Sequence, residues 1–224
     1  MNPVSQSIRF GWIAFGLTLF MANLAMSEND TLKLPPPNKT GEMTLEELLL
    51  RRRSRREFSD KQLSREQISQ LLWAAQGITG ESHGVKLRTA PSAGALYPIE
   101  VYVLTADGLY VYQPHVHSLT LLNQMDLRER LASAALGQRW VAEAPLSLVL
   151  SAVHERVTRK YGQRGIRYSL IEAGHIAQNV HLQAVALGLG SVPIGAFSDQ
   201  EVSAVLDLPD NQQPLYIIPI GYLR

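Results

Sequence analysis

The chain has 224 residues, with 21 Lys+Arg against 20 Asp+Glu for a net charge of +1, 46% hydrophobic residues and no Cys. Hydrophobicity at this level with almost no net charge excludes a disordered chain. The missing Cys excludes a disulfide scaffold and thiolate zinc sites, and the small basic excess excludes a general nucleic-acid binder.

From Phe10 to Ser27 no residue is charged; Arg9 precedes this run, and Glu28 and Asp30 follow it. One positive charge, an apolar stretch and small residues near its end are the order of an export signal. Asn23 stands where a small residue should precede cleavage after Ala25, so residues 1–26 read equally as an uncleaved anchor with the domain outside the cytoplasm, on the periplasmic side. A start codon assigned too far upstream would instead leave the domain in the cytoplasm. Residues 27–43 contain Pro35-Pro36-Pro37 and read as a stiff, extended linker. The remaining residues, 44–224, form one domain.

Thr44 with Glu47 is a capping box, and Leu45, Leu48 and Leu49 continue at helical spacing toward the arginines. Ser64 with Gln67 caps a second helix, carrying Ile68, Leu71, Leu72 and Ala75 and ending at Gly77. Glu100–Leu104 and Gly108–Tyr112 alternate as strands around an Ala106-Asp107-Gly108 turn, a hairpin. A helix is expected over Asp126–Leu136, a buried strand over Leu146–Ala152, a central buried helix over Tyr168–Leu187 and a last strand over Leu215–Ile220. Helices mixed with adjacent strands predict an α+β fold with a mostly antiparallel sheet flanked by helices.

Arg51-Arg52-Arg53-Ser54-Arg55-Arg56 places five guanidinium groups and a hydroxyl within six residues. Mutual repulsion among them is relieved by an anion, and arginine forks match phosphate oxygens bidentately; a solvated charge run is the alternative. Pro91–Pro98 holds small residues between two prolines before a strand, either a tight loop or one whose backbone a ligand approaches closely. Gly188–Phe197 is a second glycine-rich loop, without the strand-to-helix context of a dinucleotide fingerprint. Glu172 and His175 share a helix but lack the second pair of a carboxylate-bridged metal site, so they, with His181, read as satisfied interior groups. His115 and His117 read as surface residues. Neither a G-x-S-x-G elbow nor a Cys nucleophile is present, so covalent acyl transfer has no support.

The ordered segments R-R-S-x-R-x-F at Arg52–Phe58, R-T-A-P-S-A-G-A-L-Y-P-I-E-V-Y-V, A-L-G-Q-R-W-V-A-E-A-P, E-A-G-H-I-A-Q-N and G-L-G-S-V-P-I-G-A-F resemble the SagB-type dehydrogenase branch of the FMN-dependent nitroreductase family, from about Leu34 to Arg224. The resemblance implies a tight homodimer with two FMN sites, each built from both chains, and NAD(P)H as the electron donor. By position, it implies that Arg52, Arg53, Ser54 and Arg56 hold the FMN phosphate and ribityl chain, with Arg224 reaching the phosphate. Ser92, Ala93, Gly94 and Tyr97 would lie beside the flavin, and Pro193, Ile194, Gly195 and Ala196 would approach its ring by their backbone. Other nitroreductases carry Asn where this chain has Ala95, which places direct nitroreduction in doubt. Lys160-Tyr161 falls where peptide-heterocycle dehydrogenases of the branch carry a Lys-Tyr pair implicated in proton removal; a surface turn is the alternative. Three activities therefore stand: an FMN oxidoreductase acting on a small molecule, a dehydrogenase converting peptide azolines to azoles, and a non-catalytic flavin binder.

Overall fold

The computed structural model describes residues 31–224; the leader expected over residues 1–26 lies outside the described residues. Its strands are β1 (Thr31–Lys33), β2 (Ile78–Ser82), β3 (Val85–Arg88), β4 (Ile99–Thr105), β5 (Gly108–Gln113), β6 (Ser118–Asn123), β7 (Leu146–Ala152), β8 (Gly190–Ser191) and β9 (Gln213–Gly221). Its helices are α1 (Leu45–Arg51), α2 (Arg65–Gln76), α3 (Arg128–Ala134), α4 (Arg139–Glu143), α5 (Glu155–Tyr161), α6 (Arg164–Ala186) and α7 (Asp199–Leu206). Seven strands make one antiparallel sheet in the order β1-β6-β5-β4-β7-β9-β8, with β2 and β3 forming a separate hairpin. The fold is the α+β sheet-and-helix arrangement expected.

Successive strand residues point to opposite faces, and here both faces are covered. Leu146, Leu148 and Leu150 of β7 join Ile99, Val101 and Val103 of β4 in a core under α2 and α6. Val149, Tyr102, Leu104 and Ile217 face the other way, into a second core with α3, α4 and α7. Coverage on both sides explains why β7 reads as a continuous apolar run.

Both helix starts marked by capping boxes form as expected, with Thr44 and Glu47, and Ser64 and Gln67, bonding reciprocally. The last strand is longer than the expected Leu215–Ile220, running Gln213–Gly221, and two helices differ more. The helix expected over 126–136 is confined to α3, because Asp126 turns back to accept from the Arg128 backbone (3.1 Å) and Leu136 and Gly137 adopt φ of 60° and 73°. The central helix begins four residues earlier than the expected Tyr168, at Arg164. The turn between it and α5 is Gly162-Gln163, with Gly162 at φ 58° ending α5, and Gly165 packs against α5 so closely that a Cβ would lie 2.7 Å from the Thr158 nitrogen.

The segment read as a linker is extended but docked. Thr31–Lys33 pairs with β6, and Ser69 Oγ donates to the Pro35 carbonyl (2.6 Å). His117, expected at the surface, is half-buried beneath it. Its Nε2 lies 2.7 Å from Ser69 Oγ and its Nδ1 2.8 Å from the Tyr112 hydroxyl. Among the described residues no helix is long and apolar enough to cross a membrane.

Candidate functional site

The arginine run leaves α1 and is clamped on two sides. Ser54 bridges Ser191 in parallel, the Arg55 N–H donates to the Ser191 carbonyl (3.0 Å), and the Ser59 N–H donates to Tyr222 (2.8 Å). These bonds bring the run, the second glycine-rich loop and the C-terminus together. Ser54, Arg55, Arg56, Glu57, Leu223 and Arg224 line an open cleft of about 380 Å³. Within it, the Arg56 guanidinium lies 5.6 Å from the Trp140 ring and Arg224 Nη2 lies 3.2 Å from Glu143 Oε2. That ion pair is largely exposed and worth little energy; its effect is to hold Arg224 at the cleft.

Arg52 and Arg53 turn elsewhere. Arg53 Nη1 donates to the carbonyls of Leu50 (2.9 Å) and Arg52 (2.7 Å), at the end of α1. Arg52 Nη1 meets His181 Nε2 at 3.1 Å, and His181 Nδ1 meets Ser191 Oγ at 2.6 Å. Guanidinium only donates, so Nε2 accepts and Nδ1–H donates to Ser191. Burial first, and the Arg52 charge second, push the His181 pKa down to about 4, so this relay carries a neutral imidazole at pH 7.

The loop holding Pro193–Ala196 is pinned at Ile194, which exchanges both backbone bonds with Ile217 (2.8 and 3.0 Å). Ile194 is buried whereas Gly195 and Ala196 are exposed. Gln138 Nε2 donates to the Ala196 carbonyl (2.8 Å), tying this loop to α4.

A second cluster forms around the other loop. Gly94, Ala95 and Tyr97 all lie in the left-handed region, at φ 63°, 53° and 46°. A Cβ built on Gly94 would come 2.8 Å from the Tyr161 hydroxyl and 3.1 Å from Lys160 Nζ. Lys160 and Tyr161 therefore sit against this loop, on the last turn of α5, with Tyr161 braced edge-on by Tyr168 at 5.2 Å. Beneath the loop, Glu172 is 2% exposed. Burial raises its pKa to about 6 against the nearby Ser92 hydroxyl, the hydrogen bond from Gln76 Nε2 (3.3 Å) and the charges of Arg88 and Arg156. His175, grouped with it as an interior residue, is exposed: three residues on from an inward position, it has passed the edge of the buried stripe of α6.

The expected residues therefore assemble into two clusters, joined by α6: Glu172 lies under the second and His181 beside the first, nine residues apart, or roughly 13 Å of helix. Trp140, Glu143 and Gln138 had no role assigned from sequence, although all three sit in the A-L-G-Q-R-W-V-A-E-A-P segment.

The nitroreductase family profile matches residues 49–222. The chain belongs to the nitroreductase family. It is 43% identical over 198 residues to the nitroreductase-type protein MJ1384 of Methanocaldococcus jannaschii, covering 86% of this chain and 97% of that one. A nitroreductase-type crystal structure from Ralstonia eutropha JMP134 superposes with a TM-score of 0.79 at 35% identity, over 87% of this chain and 90% of the other. Two more distant relatives are the microcin B17-processing protein McbC of Escherichia coli, 29% identical over 67% of this chain and 59% of McbC, and the FMN reductase [NAD(P)H] of Bacillus subtilis, 24% identical over 76% of this chain and 62% of that one. Membership makes this chain an oxidoreductase by family.

Proposed function

We propose that this chain is an FMN-dependent oxidoreductase that takes electrons from NAD(P)H and delivers them to a small-molecule acceptor. The observation that carries the reading is the cleft lined by Ser54, Arg55, Arg56 and Arg224, tied through Arg55 to Ser191 at the start of the loop that carries the exposed Gly195 and Ala196. Its donors suit a phosphate, and a loop lacking side chains at Gly195 suits a flat ring system close to the backbone. Ser54, Arg56 and Arg224 would hold the phosphate, with Arg52 and Arg53 adding positive charge behind them. Pro193–Ala196 and Ser92, Ala93, Gly94 and Tyr97 would flank the ring. When bound, FMN supplies hydride acceptance and release at N5, and the protein supplies orientation and a positive environment.

A second reading, peptide azoline-to-azole dehydrogenation of the SagB type, is favoured by the packing of Lys160 and Tyr161 against Gly94, and by the similarity to McbC, whose name assigns it to processing microcin B17. Here Lys160 Nζ would take the ring proton, with Tyr161 holding the amine in place.

A homodimer fits the exposed Leu45, Leu49 and Leu50 of α1 and Leu170 and Ile171 of α6, apolar side chains that a second copy would cover. Export or anchoring of the domain rests on the apolar run at Phe10–Ser27.

The deciding experiment is an absorbance spectrum of the purified protein, followed by anaerobic addition of NADH or NADPH. A flavin band that bleaches supports the first reading. A band that persists under NAD(P)H but bleaches with an azoline peptide supports the second, and no band after reconstitution with FMN refutes both.

A further inference from the structure

The Ser92–Tyr97 loop is strained, with Ala95 and Tyr97 in a backbone region that side-chain-bearing residues rarely occupy. Such conformations persist where the surroundings over-determine them. Within the loop, the Ala95 N–H donates to the Ser92 carbonyl (3.0 Å) and the Tyr97 N–H to Ser92 Oγ (2.9 Å). From β3, the Arg88 N–H donates to the Tyr97 hydroxyl (3.1 Å), and the Arg88 guanidinium lies 4.3 Å from the Tyr97 ring centroid. These contacts hold the loop to itself and to the β2–β3 hairpin. None of them reaches α5, which carries Lys160 and Tyr161.

Two contacts cross toward α5. The Val153 N–H, just past the end of β7, donates to the Pro98 carbonyl (2.8 Å) and pins the exit of the loop. A single point of attachment leaves a pivot. The second point is Arg156, in the first turn of α5: its Nη1 donates to the Tyr97 carbonyl (3.0 Å), and its Nη2 donates to Glu100 Oε1 on β4. The planar guanidinium serves carbonyl and carboxylate from fixed directions, which one ammonium group cannot do. The ion pair itself is part-exposed, at 41% for Arg156 and 24% for Glu100, and contributes little to stability. What it contributes is direction. Lys160 follows Arg156 by four residues and so lies on the same face, one turn along the helix. There its Nζ and the Tyr161 hydroxyl meet the bare Cα of Gly94, leaving no room for a Cβ.

We propose that Arg156 is a positioning residue: oriented by Glu100, its guanidinium ties the Tyr97 carbonyl to α5 and sets the spacing between Gly94 and the Lys160–Tyr161 pair. The consequence for turnover rests on the flavoenzyme reading; the spacing itself does not.

The test is amide hydrogen exchange of the full chain without FMN at pH 7. Arg156→Ala should speed exchange in peptides covering residues 94–97 about tenfold, the factor carried by one hydrogen bond from a charged donor, with β5 and β6 unchanged. Arg156→Lys should fall between Arg156→Ala and the unmutated chain, and is the variant to read if Arg156→Ala fails to fold. Arg159→Ala removes the same charge from the same helix at an exposed pair with Glu155 (3.5 Å) and should change nothing. In the FMN-loaded protein, reduced by whichever of NADPH or an azoline peptide bleaches its flavin, Arg156→Ala should slow reduction at least about tenfold with FMN affinity kept. Combined with Gly94→Ala, it should lose less than the product of the two single losses, because both displace the same pair. Normal exchange at residues 94–97 in Arg156→Ala or Arg156→Lys, an equal change in Arg159→Ala, or full additivity with Gly94→Ala overturns the proposal. Faster exchange in Arg156→Ala, in a protein whose unmutated form neither binds FMN nor reduces it, would support the spacing and count against the flavoenzyme reading.

Discussion

Replacing Gly94 by Ala probes the contact between the strained loop and α5. At φ 63° an Ala costs about 1–2 kcal/mol in backbone strain. Its new methyl would come 2.8 Å from the Tyr161 hydroxyl and 3.1 Å from Lys160 Nζ. Both are ends of flexible side chains, so the clash is relieved by moving them and adds little to the strain. For a chain of this size the cost is a Tm lower by about 3–6 °C. Gly84 is the control: it has φ 77° with nothing near its missing Cβ, so Gly84→Ala should lower Tm about equally. The two variants should part in function, with Gly94→Ala losing at least about tenfold in kcat if Lys160 and Tyr161 are displaced by an ångström, given how steeply rate depends on placement. Thermal unfolding and steady-state kinetics on both variants decide it. Full turnover in Gly94→Ala, or equal losses in the two, would refute the argument that the loop sets the Lys160–Tyr161 position.

Three further outcomes are expected. Arg56→Ala combined with Arg224→Ala should weaken FMN binding at least about tenfold, measured by flavin fluorescence quenching, while Arg51→Ala, paired at the surface with Glu47, should leave it unchanged. His181 has its pKa depressed from 6.5 to about 4; the unfolded chain then binds a proton that the folded one refuses, so stability falls as pH drops through that window. Urea titrations at pH 4.5 and 7 should show this loss, and His181→Gln should shrink it; His117, whose pKa burial also lowers, adds to the loss, and Glu172, whose pKa burial raises, opposes it. Leu148 on β7 is 0% exposed between neighbours β4 and β9, so Leu148→Ala should cost about 2–5 kcal/mol in chemical denaturation.

Local signals carried most of the fold. Thr44, Glu47, Ser64 and Gln67 mark their helices within three residues, and the Ala106-Asp107 turn fixes the β4–β5 hairpin. What was not legible depended on distant partners. β1 exists because Thr31–Lys33 finds the free edge of β6 some 87 residues later (Leu119 against Leu32), and three consecutive prolines downstream hide that pairing. The β2–β3 hairpin turns on His83-Gly84 at φ 50° and 77°, but Gly80 interrupts the alternation that would announce it. At the site, the arginine run and both glycine-rich loops stood out by composition. The buried network did not, since Gln76, Arg88 and Glu172 are ordinary polar residues until Arg88 Nη1 donates to Gln76 Oε1 (3.2 Å) and tertiary contact across 96 positions joins Gln76 to Glu172.

The docking of β1 also sets a direction. The sheet runs from β1 at one margin to β8 at the other, six strand spacings or roughly 29 Å. The arginine cleft adjoins β8 through Ser54 and Arg55. A tether entering at Thr31 would therefore hold the domain by the margin remote from that cleft. If the leader stays in a bilayer, the arginines would be held away from the anionic lipid surface, beyond a Debye length of about 8 Å at physiological salt. Headgroup phosphates would then not compete with a soluble phosphate ligand for the cleft.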